Sequence, residues 1–441
     1  MSRRQAHLNA LVMNDGYHES AWLVLDQDPA ASATLDHYVD VARTTERGLF
    51  DSIFFADRPG LETFRAGFFP QVGFDPLDLV AALASVTTRL GLIATASTTY
   101  NAPYDLARRI ATVDHLSGGR AGWNVVTTSY AATAKNFGTV HPEHEDRYAR
   151  AGEFVDVVRA LWDTWDDDAV VADRASGVWA EPGRIRPAGF HGDYYDVAGA
   201  LPVPRSPQGH PVLAQAGSSD AGIDLAGRVA SLVFTPQPTV AAGRAFRDRL
   251  QKAAANHGRP ADSVLALPGL AFVLGSTEAE ARARRADLED RAKSEFRWRN
   301  LAYLAGLDLA LIEPDRPLSA EAISAAPRAN STTARVLEIA ERTGQTFREI
   351  ADEIAVLPGQ LEFTGTPEQL ADLVEEWVTE GASDGFTLLP TTLPDSLALF
   401  VDHVVPLLQE RGLHRREYTG TTLRDHLGLP RPDLVSTRAR G

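Results

Sequence analysis

Two periodicities take turns along the chain. Short runs rich in Val, Ile, Leu, Phe and Thr alternate with longer stretches in which apolar residues recur every third or fourth position. These are the signatures of strands and of amphipathic helices. The strand pattern falls at Leu8–Met13, Ser52–Asp57, Leu90–Thr98, Ala121–Thr127, Val212–Gly217, Ser231–Thr235, Leu265–Leu274 and Gly385–Leu389. The helical pattern falls at Leu35–Arg47, Pro76–Thr87, Tyr104–Leu116, Tyr148–Trp165, Asp220–Val229, Thr239–Asn256 and Thr366–Glu380, with a closing helix near Ser396–Gln409. Strands that alternate with helices predict an α/β protein with a parallel sheet. Eight such units match a (β/α)8 TIM barrel. A doubly wound sheet would rarely need eight, and no Gly-x-Gly-x-x-Gly opens a helix.

Two stretches break the rhythm. Asp166–Arg205 is rich in Gly, Pro, Asp and aromatic residues, and predicts an irregular excursion with a short hairpin around His191-Gly-Asp-Tyr-Tyr195. From about Arg297 to Gln360 a polar, Ala-rich segment predicts a helical insertion before the last strand. Segments of this length inside a compact domain usually serve as lids or interface elements, so both are expected to cover the barrel mouth. The whole of 1–441 reads as one barrel domain with these insertions, and its tail beyond Arg411 reads as an extended arm onto a partner subunit.

Composition narrows the function. The net charge of −16 opposes general affinity for nucleic acid or anionic membranes, both of which reward Lys/Arg surfaces. With no cysteine in 441 residues, disulfides, iron–sulfur clusters and thiol catalysis are excluded. The apolar run near the N-terminus is too short and interrupted for a signal peptide. No apolar stretch approaches the ~20 residues of a membrane helix, and the expectation is a cytoplasmic protein.

In a TIM barrel, ligands sit at the C-terminal ends of the strands, so polar residues there are the candidates. Strand two ends in Asp57-Arg58, a ring-binding acceptor or simply an ion pair. Alternation along strand three puts Thr95, Ser97 and Thr99 on one face, where hydroxyls either satisfy one another or reach a ligand. Asn124 and Thr128 on strand four are similar. His144 and Tyr148 share a helix face, being four apart. The nearby His141 and three carboxylates invite a metal reading, but Pro142 breaks the helical spacing and no second cluster completes a site. Gly217-Ser218-Ser219-Asp220 joins a strand to a helix. It is either an anion site of exposed N–H groups or an ordinary N-cap. Thr366, Pro367 and Gln369 form a structural capping box. No Ser-His-Asp or paired-carboxylate constellation demands hydrolysis.

The stretch from Asp105 to Ser129, DLARRIATVDHLSGGRAGWNVVTTS, has a Gly118-Gly119 pair suited to a left-handed helix stop, followed by a short strand. It resembles the flavin-dependent monooxygenases of the bacterial luciferase-like superfamily, in its nitrilotriacetate and dibenzothiophene-sulfone branch. Further family-like pieces follow in the right order along nearly the whole chain. The resemblance implies a two-component system. A separate NAD(P)H:flavin reductase would supply reduced FMN. The protein would then use O2, through a flavin C4a-hydroperoxide, to oxygenate a small organic substrate. It further implies that Asp57, Thr95, Ser97, Asn124 and Thr128 meet the flavin ring and that His144, Tyr148, Ser218 and Ser219 hold its phosphate end. His18, in the loop Asn14-Asp-Gly-Tyr-His18-Glu-Ser-Ala-Trp22, would face the substrate, and a homodimer or higher homo-oligomer is expected. The alternatives are an F420-dependent oxidoreductase of the same superfamily and a flavin-binding relative without turnover.

Overall fold

The computed structural model describes residues 5–57, 59–61, 63–128, 131–327, 331–354 and 360–434. Eight parallel strands close on themselves: β1 (His7–Val12), β2 (Ser52–Phe55), β3 (Gly91–Ser97), β4 (Ala121–Val126), β5 (Val212–Ala216), β6 (Leu232–Thr235), β7 (Leu265–Leu274) and β8 (Gly385–Pro390). Neighbours pair in chain order, and β8 returns to β1 through His7–Gly385 to Ala10–Leu388. This is the predicted TIM barrel, with each expected strand in place.

Around it lie α1 (Leu35–Arg47), α2 (Pro76–Ala84), α3 (Pro103–Ser117), α4 (His144–Trp162), α5 (Asp220–Val229), α6 (Val240–Asn256), α7 (Glu278–Arg291) and α8 (Pro367–Thr379), followed by helical turns over 395–410. Gly118 ends α3 at φ 69° and Gly119 follows at φ 94°, the left-handed stop predicted from the Gly pair. Alternation sorts each strand. On β3, Leu92, Ala94 and Ala96 pack outward beneath the helices, while Ile93 joins Leu11, Phe54 and Val212 inside the barrel. Thr95 and Ser97 share the face of Ile93, higher on the strand, and both are buried.

Three differences from the sequence reading matter. Helix α7 was not anticipated, because it buries only Ala281 and Leu288 among charged residues and so carries little apolar periodicity. A further strand, Leu361–Gly365, pairs with the upper half of β7, which explains why β7 runs to ten residues. The tail, expected to reach a partner, folds back under its own barrel as far as it is described. Leu423 and Leu427 join the interior cluster, Tyr418 donates to the Phe50 carbonyl at 2.8 Å, and Arg424 Nε to the His210 carbonyl at 2.9 Å. These contacts lie at the N-terminal ends of the strands, opposite the mouth.

The two insertions also part company. Residues 166–205 hold two small hairpins, one of them Phe190–His191 with Asp196–Val197, as expected. They pack on α3 and α4 instead of the mouth: Tyr104 donates to the Ala200 carbonyl at 3.2 Å, and the Glu153 carboxylate accepts from the N–H groups of Asp193, Tyr194 and Tyr195. The second insertion has its own small core around Trp298, Val336 and Phe347. It leans on the loop after β2, where Phe64 meets Tyr303 and both Phe68 and Phe69 meet Phe296 at centroid distances of 5.2–5.8 Å.

Candidate active site

A cavity of about 380 Å³ opens at the C-terminal ends of the strands, where this fold places its active sites. Its floor is Leu11, Phe54 and Phe234. Its walls carry Asp57, Thr95, Asn124, Thr128, Tyr148 and Gln215, and Tyr303 of the second insertion closes one side. Asp57, Thr95, Asn124, Thr128 and Tyr148 are thus brought together as the strand ends suggested.

The polar groups of the wall are held in a definite order. Asn124 Nδ2 donates to Thr95 Oγ1 at 2.9 Å, a pairing across the β3–β4 register that matches these two residues. With its amide hydrogens turned to Thr95, the Asn124 Oδ1 is buried and has no hydrogen-bond partner among the described residues. Gln215 repeats the arrangement on β5: Nε2 donates to the Ala216 carbonyl at 3.2 Å, and the buried Oε1 has no such partner. Leaving a buried acceptor unmade costs about 1–3 kcal/mol. Two of them in one cavity leave acceptors open to the donors of a ligand.

Ser97 stands behind this wall. It accepts from Thr128 Oγ1 at 2.7 Å and from the Thr99 N–H at 3.1 Å, and Thr128 sits at φ 50°, a conformation that few non-glycine residues adopt. Ser97 therefore fixes the strained Thr128, whose side chain lines the cavity.

At the rim, α5 begins. Ser219 caps it by accepting from the Gly222 N–H at 3.1 Å, so the N-cap reading holds. A Cβ placed on Gly222 would lie 3.1 Å from Ser219 Oγ and 3.4 Å from the Tyr148 hydroxyl, so both oxygens converge on one spot at the positive end of the helix. Ser218 and Ser219 are exposed there and do not line the cavity itself. The side chain of His144, like all of Arg58, lies outside the described residues. Its helix is anchored by its neighbour instead: Arg147 Nη1 donates to His141 Nε2 at 2.8 Å, and His141 Nδ1 lies 2.9 Å from the Tyr100 hydroxyl. An arginine can only donate, so the ring proton of His141 sits on Nδ1. Burial, and then Arg147, push the His141 pKa down.

His18 is not in the cavity wall among the described residues. Its Nδ1 accepts from the Ser20 N–H at 3.2 Å, and its Nε2 lies 3.9 Å from Glu289 Oε1 on α7. His18 holds the Glu289 carboxyl below the ordinary carboxylate range against the effect of burial, with Arg297 and Arg285 adding to it. No group of His, Asp or Glu able to hold a metal ion occurs among the described residues, and none of the described helices is long and apolar enough to cross a membrane. Sequence reasoning missed Gln215 and Tyr303. Alternation on the Val212–Gly217 strand puts Gln215 on the outward face of Leu213, opposite Val212 and Ala214 inside the barrel, so no sequence signal marks it, and nothing local marks Tyr303.

A closed parallel barrel with unmet acceptors in its mouth and a helix N-terminus at the rim defines a (β/α)8 barrel with a cavity at the C-terminal ends of its strands. Residues 17–384 match the luciferase-like monooxygenase family, and the chain belongs to it. It is 41% identical to N-acetyl-S-(2-succino)cysteine monooxygenase of Bacillus subtilis (strain 168), over 98% of each chain. It is 40% identical to nitrilotriacetate monooxygenase component A of Aminobacter aminovorans, again over 98% of each. Among solved structures, a riboflavin lyase with modified FMN and its substrate riboflavin superposes with a TM-score of 0.86 at 31% identity, over 96% of both chains. An F420-dependent secondary alcohol dehydrogenase matches at a TM-score of 0.57 and 14% identity, a likeness of fold alone. The chain is accordingly an oxidoreductase of the monooxygenase kind.

Proposed function

We propose that the protein is the oxygenating component of a two-component system, taking reduced FMN from a separate NAD(P)H:flavin reductase and using O2 to oxygenate a small organic substrate. The observation that carries this reading is the pair of buried amide oxygens, Asn124 Oδ1 and Gln215 Oε1, that lack a partner in the mouth cavity. A flavin ring offers N–H groups along one edge, for which Asn124 Oδ1 is a suited acceptor; Gln215, whose Nε2 lies 3.7 Å from a Cβ placed on Gly222, stands nearer the rim with Ser219 and Tyr148. Tyr148, Ser218, Ser219 and the N-terminus of α5 suit the phosphate, since hydroxyls and helix N–H groups are good anion donors.

When bound, the reduced flavin supplies the two electrons with which one atom of O2 enters the substrate and the other leaves as water. The chain's own residues do the rest. Asn124 and Thr95 orient the ring edge, and Gln215 stands between it and the phosphate end; Thr128, held by Ser97, and Asp57 border the far side. Tyr303 and the loop around Pro59, Gly60 and Gln71 keep water from the reacting face. His18, whose Nδ1 accepts from the Ser20 N–H, shapes the loop after β1. A partner reductase accords with the name "component A" of the nitrilotriacetate relative, and a homodimer in the cytoplasm is the setting we propose.

Turnover under ¹⁸O₂ with NADH and a flavin reductase, over a panel of thioethers and amines, tests this. One labelled oxygen per product is expected, with activity lost when the reductase is left out. Oxidation that continues without O2, or product oxygen drawn from labelled water, would contradict it.

A further inference from the structure

The end of the barrel opposite the mouth gathers positive charge on a chain whose net charge is −16. Arg159 lies near the end of α4, one turn before Trp162, whose ring centroid is 5.6 Å from that of His210 just below β5. Arg424 meets the same residue: its Nε donates to the His210 carbonyl at 2.9 Å and its Nη1 to the Pro430 carbonyl at 3.2 Å. Arg259 donates from Nη1 to the Gly227 carbonyl and from Nη2 to the Ala230 carbonyl, both at 2.7 Å. Ala230 precedes Ser231, whose N–H donates to the Leu213 carbonyl of β5 at 2.7 Å. Three partly buried guanidiniums thus stand around the lower end of one strand.

Their charges are not balanced. Among the described residues, no carboxylate lies within ion-pair distance of Arg159, Arg259 or Arg424. The acids packed nearby serve other partners. Asp163 accepts from Arg205 Nε at 3.0 Å and from His210 Nε2 at 2.8 Å, and Asp167 accepts from Arg205 Nη1 at 3.1 Å and pairs with Arg431. Asp156, on the same helix as Arg159, takes Arg228 at 2.9 Å, and Asp114 takes the Ala121 N–H, also at 2.9 Å, with Ser206 and Gln208. Residues 1–4 and 435–441 contain four arginines and no Asp or Glu. Burial, and after it the charge of Arg159, lower the Arg259 pKa to about 10. The same two causes lower the Arg424 pKa to about 10, with Arg205 and Arg259 adding to them and Asp114 opposing. All three remain charged at neutral pH, and grouped cations held out of water without a counter-charge are unfavourable.

The donors needed to relieve this are in place. Backbone carbonyls fix Arg259 and Arg424, yet Arg259 Nε and Arg424 Nη2 make no hydrogen bond among the described residues, and Arg159 makes none through any of its N–H groups. Planar guanidinium forks match the oxygens of a phosphate group, which accepts several such bonds at once and carries the missing negative charge. We propose that Arg159, Arg259 and Arg424 form a binding site for a phosphate group beneath β5, separate from the flavin site at the mouth. Arg259 and Arg424 are its fixed wall, and Arg159 is the arm that closes on the anion.

Thermal unfolding of the full-length protein tests this, with oxidised FMN present throughout to fill the mouth. Orthophosphate and methyl phosphate are each compared with NaCl at equal ionic strength. The wild-type Tm should rise saturably with orthophosphate beyond any rise in chloride. Arg159→Gln, which loses a charged donor, should need at least about tenfold more phosphate for half the rise. Arg159→Lys, which keeps the charge without the fork, should fall between the two. In chloride alone Arg159→Gln should unfold at the wild-type Tm or above it, because it removes a repelling charge, so a misfolded variant cannot mimic the expected result. A matching rise with methyl phosphate would assign the site to phosphate esters as well, and its absence would assign the site to the free anion. No saturable rise in the wild type, a rise that Arg159→Gln keeps in full, or a lower Tm for Arg159→Gln in chloride would overturn the proposal.

Discussion

At the scale of single residues, the site rests on side chains whose hydrogen bonds leave one atom over. Asn124 and Gln215 are the clearest, and Ser218 and Ser219 show how a structural and a binding role can be separated. Ser219 accepts from the Gly222 N–H, so Ser219→Ala should cost about 1 kcal/mol of stability as a lost N-cap, read as a lower Tm. Ser218 makes no such cap, and Ser218→Ala should leave Tm unchanged. If the α5 terminus holds a phosphate, both variants should reduce the preference for FMN over riboflavin, which lacks one, by about fivefold to tenfold. An unchanged preference in both would remove the phosphate from that turn. The hydroxyl stripe Thr95 and Ser97 was legible from alternation alone. The division of labour between them was not, because it depends on Thr128 adopting φ 50° and on which hydroxyl that residue then meets.

At the scale of elements, the strands and most helices could be read from sequence because each buries one face or one stripe. What escaped had no such stripe. Helix α7 is largely charged, and the tail carries only scattered apolar residues, two of which fill the barrel floor. Leu423 is fully buried. Its Cδ1 would lie 2.5 Å from a Cβ on Gly91, so the plug depends on glycine at that position. Leu423→Ala should destabilise the protein by about 2–5 kcal/mol, the usual cost of a buried cavity, measured by denaturant unfolding. The same seam is sensitive to acid. Burial drives the His414 pKa down to about 4, against the opposing hydrogen bond to the Gly48 carbonyl. His414 is therefore neutral in the fold, and its contribution is complete above ~6.5 and declines as pH falls toward 4. For Asp51, burial is outweighed by His7 and Arg415, which hold its pKa at about 2. Its contribution is complete above ~4 and is lost between pH ~4 and 2. Stability should thus fall in two successive windows on acidification. His414→Gln should flatten the upper window alone, and an upper window of unchanged depth in that variant would refute the assignment.

At the scale of the whole molecule, the barrel keeps its two ends for different work: the tail seals the floor, and the second insertion with the loop after β2 encloses the mouth. The first insertion, which by length alone looked like a second lid, packs instead on α3 and α4. Sequence could announce such a segment but not its direction, since that is set by contacts such as Glu153 with three successive N–H groups. The central claim is that the mouth holds reduced FMN through its unmet acceptors. The measurement that tests it most directly is an anaerobic titration of the protein with photoreduced FMN, repeated on Asn124→Ala and Gln215→Leu. One saturable site per chain is expected, with each variant weakening it by about tenfold, the worth of one hydrogen bond. No saturable binding, or binding that ignores both substitutions, would contradict the account.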